Sequence, residues 1–283
     1  MEYESLELNN ETRKTLPGEF IQLSNGYVHY ELAGEGDTVI LVHGFSSPSF
    51  IWDPTYEFLV KEGFKVLRYD LYGRGYSDRP NIKYTMDVFV EQLIELTKLL
   101  NLDEFSLVGL SMGGGVCVVF ADKYPVKKVS LIDPIGFSLG RNLLLSIMKI
   151  PLLNSLMLKL YLSHNRILEM QKDDFWNYNK IENYLDKYSD QMNYKGFLRA
   201  IRSTALHTPF TNLKETYERL GNTDIPMQLF WGEKDQTIPY STSKLVCEAV
   251  PSIEFHTIHD SGHIPHFTHS NEVNPLLVKF LRG

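Results

Sequence analysis

One serine occupies a position where the chain could make it a nucleophile. Ser111 is the centre of a Gly-x-Ser-x-Gly pattern, with Gly109 before it and Gly113 after it. An apolar run typical of a buried strand ends at Gly109, and a run typical of a helix covers 116–120. A serine on such a sharp turn has strained backbone angles and little space beside it, which favours glycine at both flanking positions. The pattern predicts that the Ser111 hydroxyl is raised above the edge of the sheet at the end of a strand.

The same turn predicts a site for negative charge. Met112 follows the serine directly and begins the predicted helix. The first N–H groups of a helix have no partner within it, and the helix dipole favours a negative charge there. We therefore expect the Met112 N–H to stabilise an oxyanion that forms beside Ser111.

A nucleophilic serine needs a base within hydrogen-bond distance. Four histidines near the C-terminus are candidates: His259, His263, His266 and His269. His263 lies between a glycine and a proline, which are turn signals, and we predict that it is the base. We expect His259 at the end of a strand, and His266 and His269 on the surface or in loops.

Two aspartates follow predicted strands and could orient the histidine. Asp133 precedes Pro134, and Asp235 lies four residues after Trp231. Strand ends are ordinary places for aspartate, so the residues alone leave both candidates open.

The elements that would position these residues alternate along the chain. Asn25-Gly26 predicts a hairpin turn, and apolar, β-branched runs predict buried strands. The predicted strands are 20–24, 27–33, 38–42, 65–71, 105–109, 128–133, 226–231 and 253–258, and the clearest helices are 52–61, 85–100, 241–250 and 273–281. This order predicts an α/β fold: a mostly parallel eight-stranded sheet with helices on both faces. In such sheets the active site lies at the carboxyl ends of the strands.

The alternation is interrupted after the sixth strand. Residues 135–221 contain no convincing strand and are helical in pattern, so we expect them to form a helical cap on a core made of 1–134 and 222–283. The segment 143–162 predicts amphipathic helices. The cap is rich in aromatic residues, which form either its own core or contacts with substrate: Phe137, Trp176, Tyr178, Tyr184, Tyr188, Tyr194 and Phe197.

Composition excludes several other functions. The formal net charge is −7 and no basic block occurs, which argues against a nucleic-acid partner. Cys117 and Cys247 form no disulfide framework. Residues 1–7 lack a positive region and an apolar core, so we expect no secretory signal and a cytoplasmic protein. Lysines within 143–162 argue against an integral membrane segment.

Together, these motifs resemble the α/β-hydrolase family over nearly the whole chain, most weakly in 1–19 and in the cap. Five motifs follow the family order. They are His43-Gly44-Phe45 as the oxyanion loop, Asp70-x-x-Gly73-x-Gly75-x-Ser77 as the next turn, Gly109-x-Ser111-x-Gly113 as the nucleophile elbow, Trp231-Gly232-x-x-Asp235 with Ile238-Pro239 as the acid turn, and Ser261-Gly262-His263 with Pro265 as the histidine loop.

The resemblance implies a role for each site residue. Ser111 would be the nucleophile and His263 its base. Asp235 would orient the histidine, and the match of its turn to the family's acid turn favours it over Asp133. The N–H groups of Phe45 and Met112 would hold the oxyanion.

Two further residues would support these loops. We expect His43 to fix the oxyanion loop rather than act as a base. We expect Asp70 to brace the glycine turn that follows it.

The resemblance implies a serine hydrolase that cleaves carboxylic esters with a hydrophobic acyl or aryl group through an acyl-enzyme. No phosphate loop, metal-ligand spacing or nucleotide fingerprint occurs, so no cofactor and no metal is expected. The oligomeric state is not indicated by the sequence. The serine also argues against the haloalkane dehalogenases and epoxide hydrolases of the family, which use aspartate at the elbow.

Three alternatives stay open. The segments 75–80 and 111–115 are also similar to cofactor-free perhydrolases, formerly called haloperoxidases. Hydrolases of carbon–carbon bonds in meta-cleavage products share the elbow but have a glycine-rich oxyanion loop, whereas Ser46 and Ser47 follow Phe45 here. Some plant hormone receptors resemble the fold, keep the triad and signal through a partner.

Overall fold

The computed structural model describes residues 3–137, 162–176 and 181–283, and its centre is one sheet of eight strands. The strands are β1 (Glu19–Leu23), β2 (Gly26–Ala33), β3 (Thr38–Val42), β4 (Lys65–Tyr69), β5 (Phe105–Leu110), β6 (Val129–Ile132), β7 (Met227–Gly232) and β8 (Glu254–Ile258). Their spatial order is β1-β2-β4-β3-β5-β6-β7-β8. The predicted eight-stranded, mostly parallel sheet is confirmed.

The strand pairings bring the candidate residues to one edge of the sheet. β1 and β2 form an antiparallel hairpin, β2 runs antiparallel to β4, and all remaining neighbours are parallel. The carboxyl ends of β3, β5, β6, β7 and β8 therefore meet at the same edge. The loops that carry Phe45, Ser111, Asp133, Asp235 and His263 follow these five ends.

Helices cover both faces of the sheet. Within the described residues, the helices are α1 (Asn10–Arg13), α2 (Asp53–Lys61), α3 (Met86–Leu99), α4 (Met112–Ala121), α5 (His164–Asp173), α6 (Ile181–Asp190), α7 (Phe197–His207), α8 (Lys214–Gly221), α9 (Thr242–Ala249), α10 (Pro265–Thr268) and α11 (Ser270–Arg282), with 3₁₀ turns at Ser49–Trp52 and Gln191–Asn193. Within β3, Val39 packs in one core with Leu277 of α11, whereas Ile40 packs in the other with Phe89 of α3. The two faces of the sheet therefore bury separate apolar layers, because successive side chains of a strand point to opposite faces.

The segment between β6 and β7 is helical where the structure describes it, and it carries α5 to α8. The predicted amphipathic helices at 143–162 fall almost wholly outside the described residues, as does Tyr178. Across the described ranges, no helix combines the length and the apolar character that crossing a bilayer requires.

The turn from β5 to α4 has the strained geometry that the sequence predicts. Ser111 has φ 53° and ψ −116°, in a region that residues with side chains rarely adopt. Its N–H donates to Ile132 O at 2.9 Å, which ties the turn to β6. A Cβ on Gly113 would lie 2.2 Å from Val42 O and 2.4 Å from His43 O. Both acceptors are backbone atoms of β3 and its loop, so glycine is required for the helix to approach the sheet.

We predict that Gly113→Ala prevents the elbow from closing. The added methyl group must displace the backbone of β3 and of the loop that follows it, and we expect a cost at the upper end of the usual range for overpacking, about 3 kcal/mol. Chemical denaturation followed by circular dichroism measures the free energy of unfolding. Gly63→Ala is the control, because its Cβ meets nothing within 4 Å and only the φ of +87° opposes it. We expect that control to cost about 1 kcal/mol. An equal loss in the free energy of unfolding of the two variants would contradict the prediction.

Candidate active site

Ser111 and His263 share one cavity of about 420 Å³ at the carboxyl edge of the sheet. The core contributes Phe45 and Ser46 to its lining as well, and the segment between β6 and β7 contributes residues including Gln171 and Asp174. Its volume lies within the usual range for sites that bind small molecules, about 300–1,000 Å³. The sheet and the helical insertion therefore enclose a single space around the predicted nucleophile.

His263 is held in one orientation by a buried carboxylate. Its Nδ1 donates to Asp235 Oδ2 at 2.7 Å, and both side chains are buried. Asp235 Oδ1 accepts from the N–H groups of Thr237 at 2.8 Å and Ile238 at 2.9 Å. The Asp235 carboxylate is thus fixed by its own turn, and it fixes the tautomer of His263 with the proton on Nδ1.

Opposing effects set the proton affinity of His263. Burial by itself lowers the pKa of a histidine, whereas the Asp235 carboxylate and, more weakly, Asp174 raise it. The net result is a pKa of His263 above its ordinary value. Asp174 itself follows α5, and burial raises the pKa of its carboxyl to about 6.

Asp133, the other candidate acid, makes a different contact. Its Oδ1 accepts from the Gly232 N–H at 2.9 Å, and its side chain is fully buried behind the Asp235–His263 pair. Burial and the neighbouring Asp235 charge raise the pKa of Asp133 well above its usual range. The described contacts therefore join His263 Nδ1 to Asp235 and not to Asp133.

Asp133, Asp235 and His263 also have the donor types of a metal site, with their nitrogen and oxygen atoms within 4.8 Å of one another. However, the Asp235 oxygens already accept from the Thr237 and Ile238 N–H groups and from His263, and Asp133 Oδ1 accepts from the Gly232 N–H. A cation bound to Asp235 and His263 would have to displace these donors. The Asp235 contacts fit an acid that orients His263 better than they fit a metal ligand.

The peptide that carries the Phe45 N–H is fixed from behind by His43. The His43 Nδ1–H donates to Gly44 O at 2.9 Å, and its Nε2 accepts from the Leu71 N–H at 2.9 Å. Burial lowers the pKa of His43 to about 4, so the ring is neutral at pH 7 and can make both bonds. Because Gly44 O and the Phe45 N–H belong to the same peptide plane, this contact orients the predicted oxyanion donor.

A buried guanidinium holds the next carbonyl of the loop. Arg74 Nε donates to Phe45 O at 2.8 Å, and its NH1 donates to Tyr72 O at 3.0 Å. Burial lowers the pKa of Arg74 to about 10, which still leaves it charged at neutral pH. Phe45 is therefore constrained on both sides, while Met112 is constrained as the first residue of α4.

Asp70 links the glycine turn to the segment after the oxyanion loop. Its Oδ2 accepts from the Tyr76 N–H at 2.9 Å and from His29 Nδ1 at 2.8 Å, and its Oδ1 accepts from the Ser49 N–H at 2.7 Å. Although burial opposes it, the His29 charge holds the pKa of Asp70 well below its usual range. A Cβ on Gly75 would lie 2.0 Å from Asp70 Oδ2, which explains the glycine there.

Two glutamines that have no motif in the sequence connect the insertion to the oxyanion loop. Gln171 Nε2 donates to Ser46 Oγ at 3.1 Å, and its Oε1 accepts from Ser47 Oγ at 3.0 Å and from Tyr184 OH at 2.9 Å. Gln191 Nε2 donates to Ser46 O at 3.0 Å. The contacts with Ser46 and Ser47 join residues more than 120 positions apart in the chain, and no local pattern reveals them.

The structure corrects the expectation for one histidine. His266 is fully buried in α10 and packs on Trp52 with ring centroids 4.2 Å apart, whereas the sequence predicted a surface or loop position. Burial lowers the pKa of His266 to about 3, so it is a neutral core residue. A polar residue close to proline gives no sign of such packing. His259 lies just beyond β8 and its side chain is exposed.

The described aromatic residues of the insertion pack against one another and against rings outside it, such as Phe267. Tyr184 and Tyr188 are buried and stack at 6.1 Å, and Phe197 is buried in the same core. Among the described members of the predicted aromatic set, none lines the cavity around Ser111. For these described residues, the contacts favour a role in the core of the insertion over a role in contacting substrate.

Comparisons with known proteins agree with this architecture. A family model described as the alpha/beta hydrolase fold matches residues 37–270. The chain is 26% identical over 261 residues to a putative non-heme chloroperoxidase of Synechocystis sp., a match that covers 90% of this chain and 95% of that protein. It is 29% identical over 242 residues to Lipase 3 of Moraxella sp., covering 81% and 72%.

A solved structure gives the same fold. A meta-cleavage product hydrolase of Pseudomonas fluorescens superposes with a TM-score of 0.77 at 21% identity, over 94% of this chain and 97% of that one. The match of the family model to most of the sequence, together with the sheet order and the elbow described above, shows that this chain belongs to the alpha/beta hydrolase fold family.

Proposed function

We propose that the protein is a serine hydrolase that cleaves carboxylic esters through an acyl-enzyme. The observation that carries the proposal is the buried 2.7 Å contact between His263 and Asp235, because His263 lines the same cavity as Ser111 on its strained turn. Serine needs a base to become nucleophilic, and an oriented, neutral imidazole supplies it. Asp235 stabilises the imidazolium that forms.

The reaction follows from these roles. His263 Nε2 takes the Ser111 proton as Oγ attacks the ester carbonyl carbon. The Phe45 and Met112 N–H groups stabilise the negative oxygen of the tetrahedral intermediate. Collapse expels the alcohol, which takes the proton from His263. Water, activated by the same histidine, then hydrolyses the acyl-Ser111 ester.

The substrate that we propose has a hydrophobic acyl or aryl group. Apolar side chains contribute part of the cavity lining: Phe45, Leu110, Met170 and Ile264. The segment 135–221, which we propose as a cap domain on a core of 1–134 and 222–283, supplies the Met170 side of this lining.

Two other enzyme classes use a similar elbow. The similarity to a putative chloroperoxidase favours a perhydrolase, in which hydrogen peroxide rather than water would attack the acyl-enzyme. The similarity to a meta-cleavage product hydrolase extends to the fold. The oxyanion loop differs, because Ser46 and Ser47 bond to Gln171 where that class carries glycines.

A series of p-nitrophenyl esters of increasing chain length tests the proposal. We expect repeated turnover and stoichiometric labelling of Ser111 by a fluorophosphonate, since the probe reacts with an activated serine. Ser111→Ala should lose the label and keep the fold. Ser46→Ala is the matched control, because Ser46 lines the same cavity, and it should still be labelled.

Three results would contradict this assignment. Labelling of Ser46, Ser47 or Ser261 in place of Ser111 would mean that another residue is the nucleophile. A single turnover that leaves the protein modified would favour a receptor. Peroxide-dependent product formation faster than ester hydrolysis would favour a perhydrolase.

The pH dependence follows from the histidine. His263 must be neutral to accept the Ser111 proton, and its pKa is raised by Asp235 above the ordinary value of about 6.5. We therefore predict that kcat/KM for a neutral ester is low below this raised pKa, increases as pH passes through it, and then levels off. The Asp174 carboxyl has a pKa of about 6 and could titrate in the same pH range. Asp174→Asn is therefore the control, and we expect it to keep the increase in kcat/KM with pH.

The same profile is measured with and without EDTA. We expect no effect of the chelator, because Ser111 is the nucleophile and no metal-bound hydroxide is required. A flat profile from pH 6 to 8, or activity lost with EDTA and restored by a divalent metal, would contradict the mechanism.

A further inference from the structure

Asp133 is a buried acid that the proposed mechanism leaves without a role. Its side chain is fully buried, and its backbone is held at φ 43°, a left-handed angle that is uncommon for residues other than glycine. Oδ1 accepts from the Gly232 N–H, but Oδ2 is fully buried and accepts from no donor among the described residues. An ionised carboxylate with one such oxygen would be costly to bury.

Asp235 has room for one more hydrogen-bond donor. A carboxylate offers about four lone-pair positions. Oδ1 of Asp235 accepts from the backbone of Thr237 and of Ile238, and Oδ2 accepts from His263. Three positions are therefore occupied. Asp133 is close enough to be the source of a fourth donor, because one of its carboxyl oxygens lies within 4.8 Å of an Asp235 oxygen and of a ring nitrogen of His263.

We propose that Asp133 is a positioning residue that stays protonated at neutral pH and donates its Oδ2–H to the Asp235 carboxylate. This inference rests on the proposed function, in which His263 is the base and Asp235 orients it. The pair holds one proton and one negative charge. The proton stays on Asp133 throughout, while the catalytic proton moves between Ser111, His263 and the leaving group.

The charges around Asp133 support a neutral carboxyl. The carboxylates that face it belong to Asp235 and Asp174, and the one titratable base in the cluster is His263, which Asp235 already engages. Burial contributes most to raising the pKa of Asp133, followed by the Asp235 charge. The Gly232 N–H acts in the opposite direction, and the more distant Asp174 charge raises the pKa further.

The consequence concerns the basicity of His263. If Asp133 and Asp235 were both ionised, two negative charges behind the imidazole would raise its pKa further and keep it protonated, so it could not accept the Ser111 proton. A neutral donor instead leaves a single charge and occupies the last acceptor position.

Two substitutions separate a neutral donor from an ionised acid. Asparagine has the same shape as protonated aspartate, its amide N–H can donate to Asp235, and it adopts left-handed backbone angles readily. We expect Asp133→Asn to keep the fluorophosphonate labelling rate within about threefold and the acid limb of the pH profile unchanged. Asp133→Ala removes the donor, and we expect labelling about 10²-fold slower, as for a small misplacement of catalytic groups.

Each labelling rate is divided by the amount of folded protein, which is measured by circular dichroism. A clear shift of the acid limb to lower pH in Asp133→Asn would mean that a negative charge was lost, and it would overturn the proposal. The proposal would also be overturned if the asparagine and alanine variants lost the same fraction of the labelling rate, or if neither variant lost any.

Infrared difference spectroscopy tests the proton without any substrate, so its result is independent of whether the protein is an esterase. At pH 8, Asp174 is ionised because its pKa is about 6. We expect the wild-type protein to show a protonated-carboxyl C=O band that Asp133→Asn lacks and that Asp174→Asn retains. Absence of the band in wild type, or its persistence in Asp133→Asn, would overturn the proposal even if every activity prediction holds.

Discussion

The hydrogen bond from His263 Nδ1 to Asp235 Oδ2 is the contact on which the rest of the site depends. Burial alone would drive the histidine to its neutral form and leave it a weak base. The carboxylate at 2.7 Å offsets that effect, fixes the tautomer and leaves Nε2 free to face the cavity. The acid turn, in which the Thr237 and Ile238 N–H groups bond to Asp235, holds this carboxylate in its orientation.

The predicted oxyanion hole depends on a second set of constraints, which come from three parts of the chain. His43 orients the peptide that carries the Phe45 N–H, and Arg74 holds the carbonyl that follows it. From the opposite side, Gln171 and Gln191 of the insertion bond to Ser46. The segment above the cavity therefore contacts the loop that would stabilise the transition state. These contacts end at Ser46, the residue next to the predicted Phe45 donor.

Much of this organisation could be predicted from sequence, because its signals are local. Continuous apolar runs predicted the buried strands, and the glycines around Ser111 predicted the strained turn that its φ of 53° shows. The loops that carry Phe45, Asp235 and His263 were recognisable because each is a short motif after a strand. The contacts that escaped prediction join distant residues. Gln171 and Ser46 are 125 positions apart, and the burial of His266 against Trp52 depends on how α10 packs. The proximity of Asp133 to Asp235 likewise arises only when β6 and β7 pair.

The central claim is that an ester passes its acyl group to Ser111. Peptide mapping by mass spectrometry, after acid quench of the wild-type protein during p-nitrophenyl ester hydrolysis, tests it most directly. Low pH protonates His263, so deacylation stops and the intermediate is preserved. The account predicts the acyl mass on the peptide that contains Ser111, in amounts equivalent to the protein. An acyl group on any other residue, or ester hydrolysis at the wild-type rate by Ser111→Ala, would contradict it.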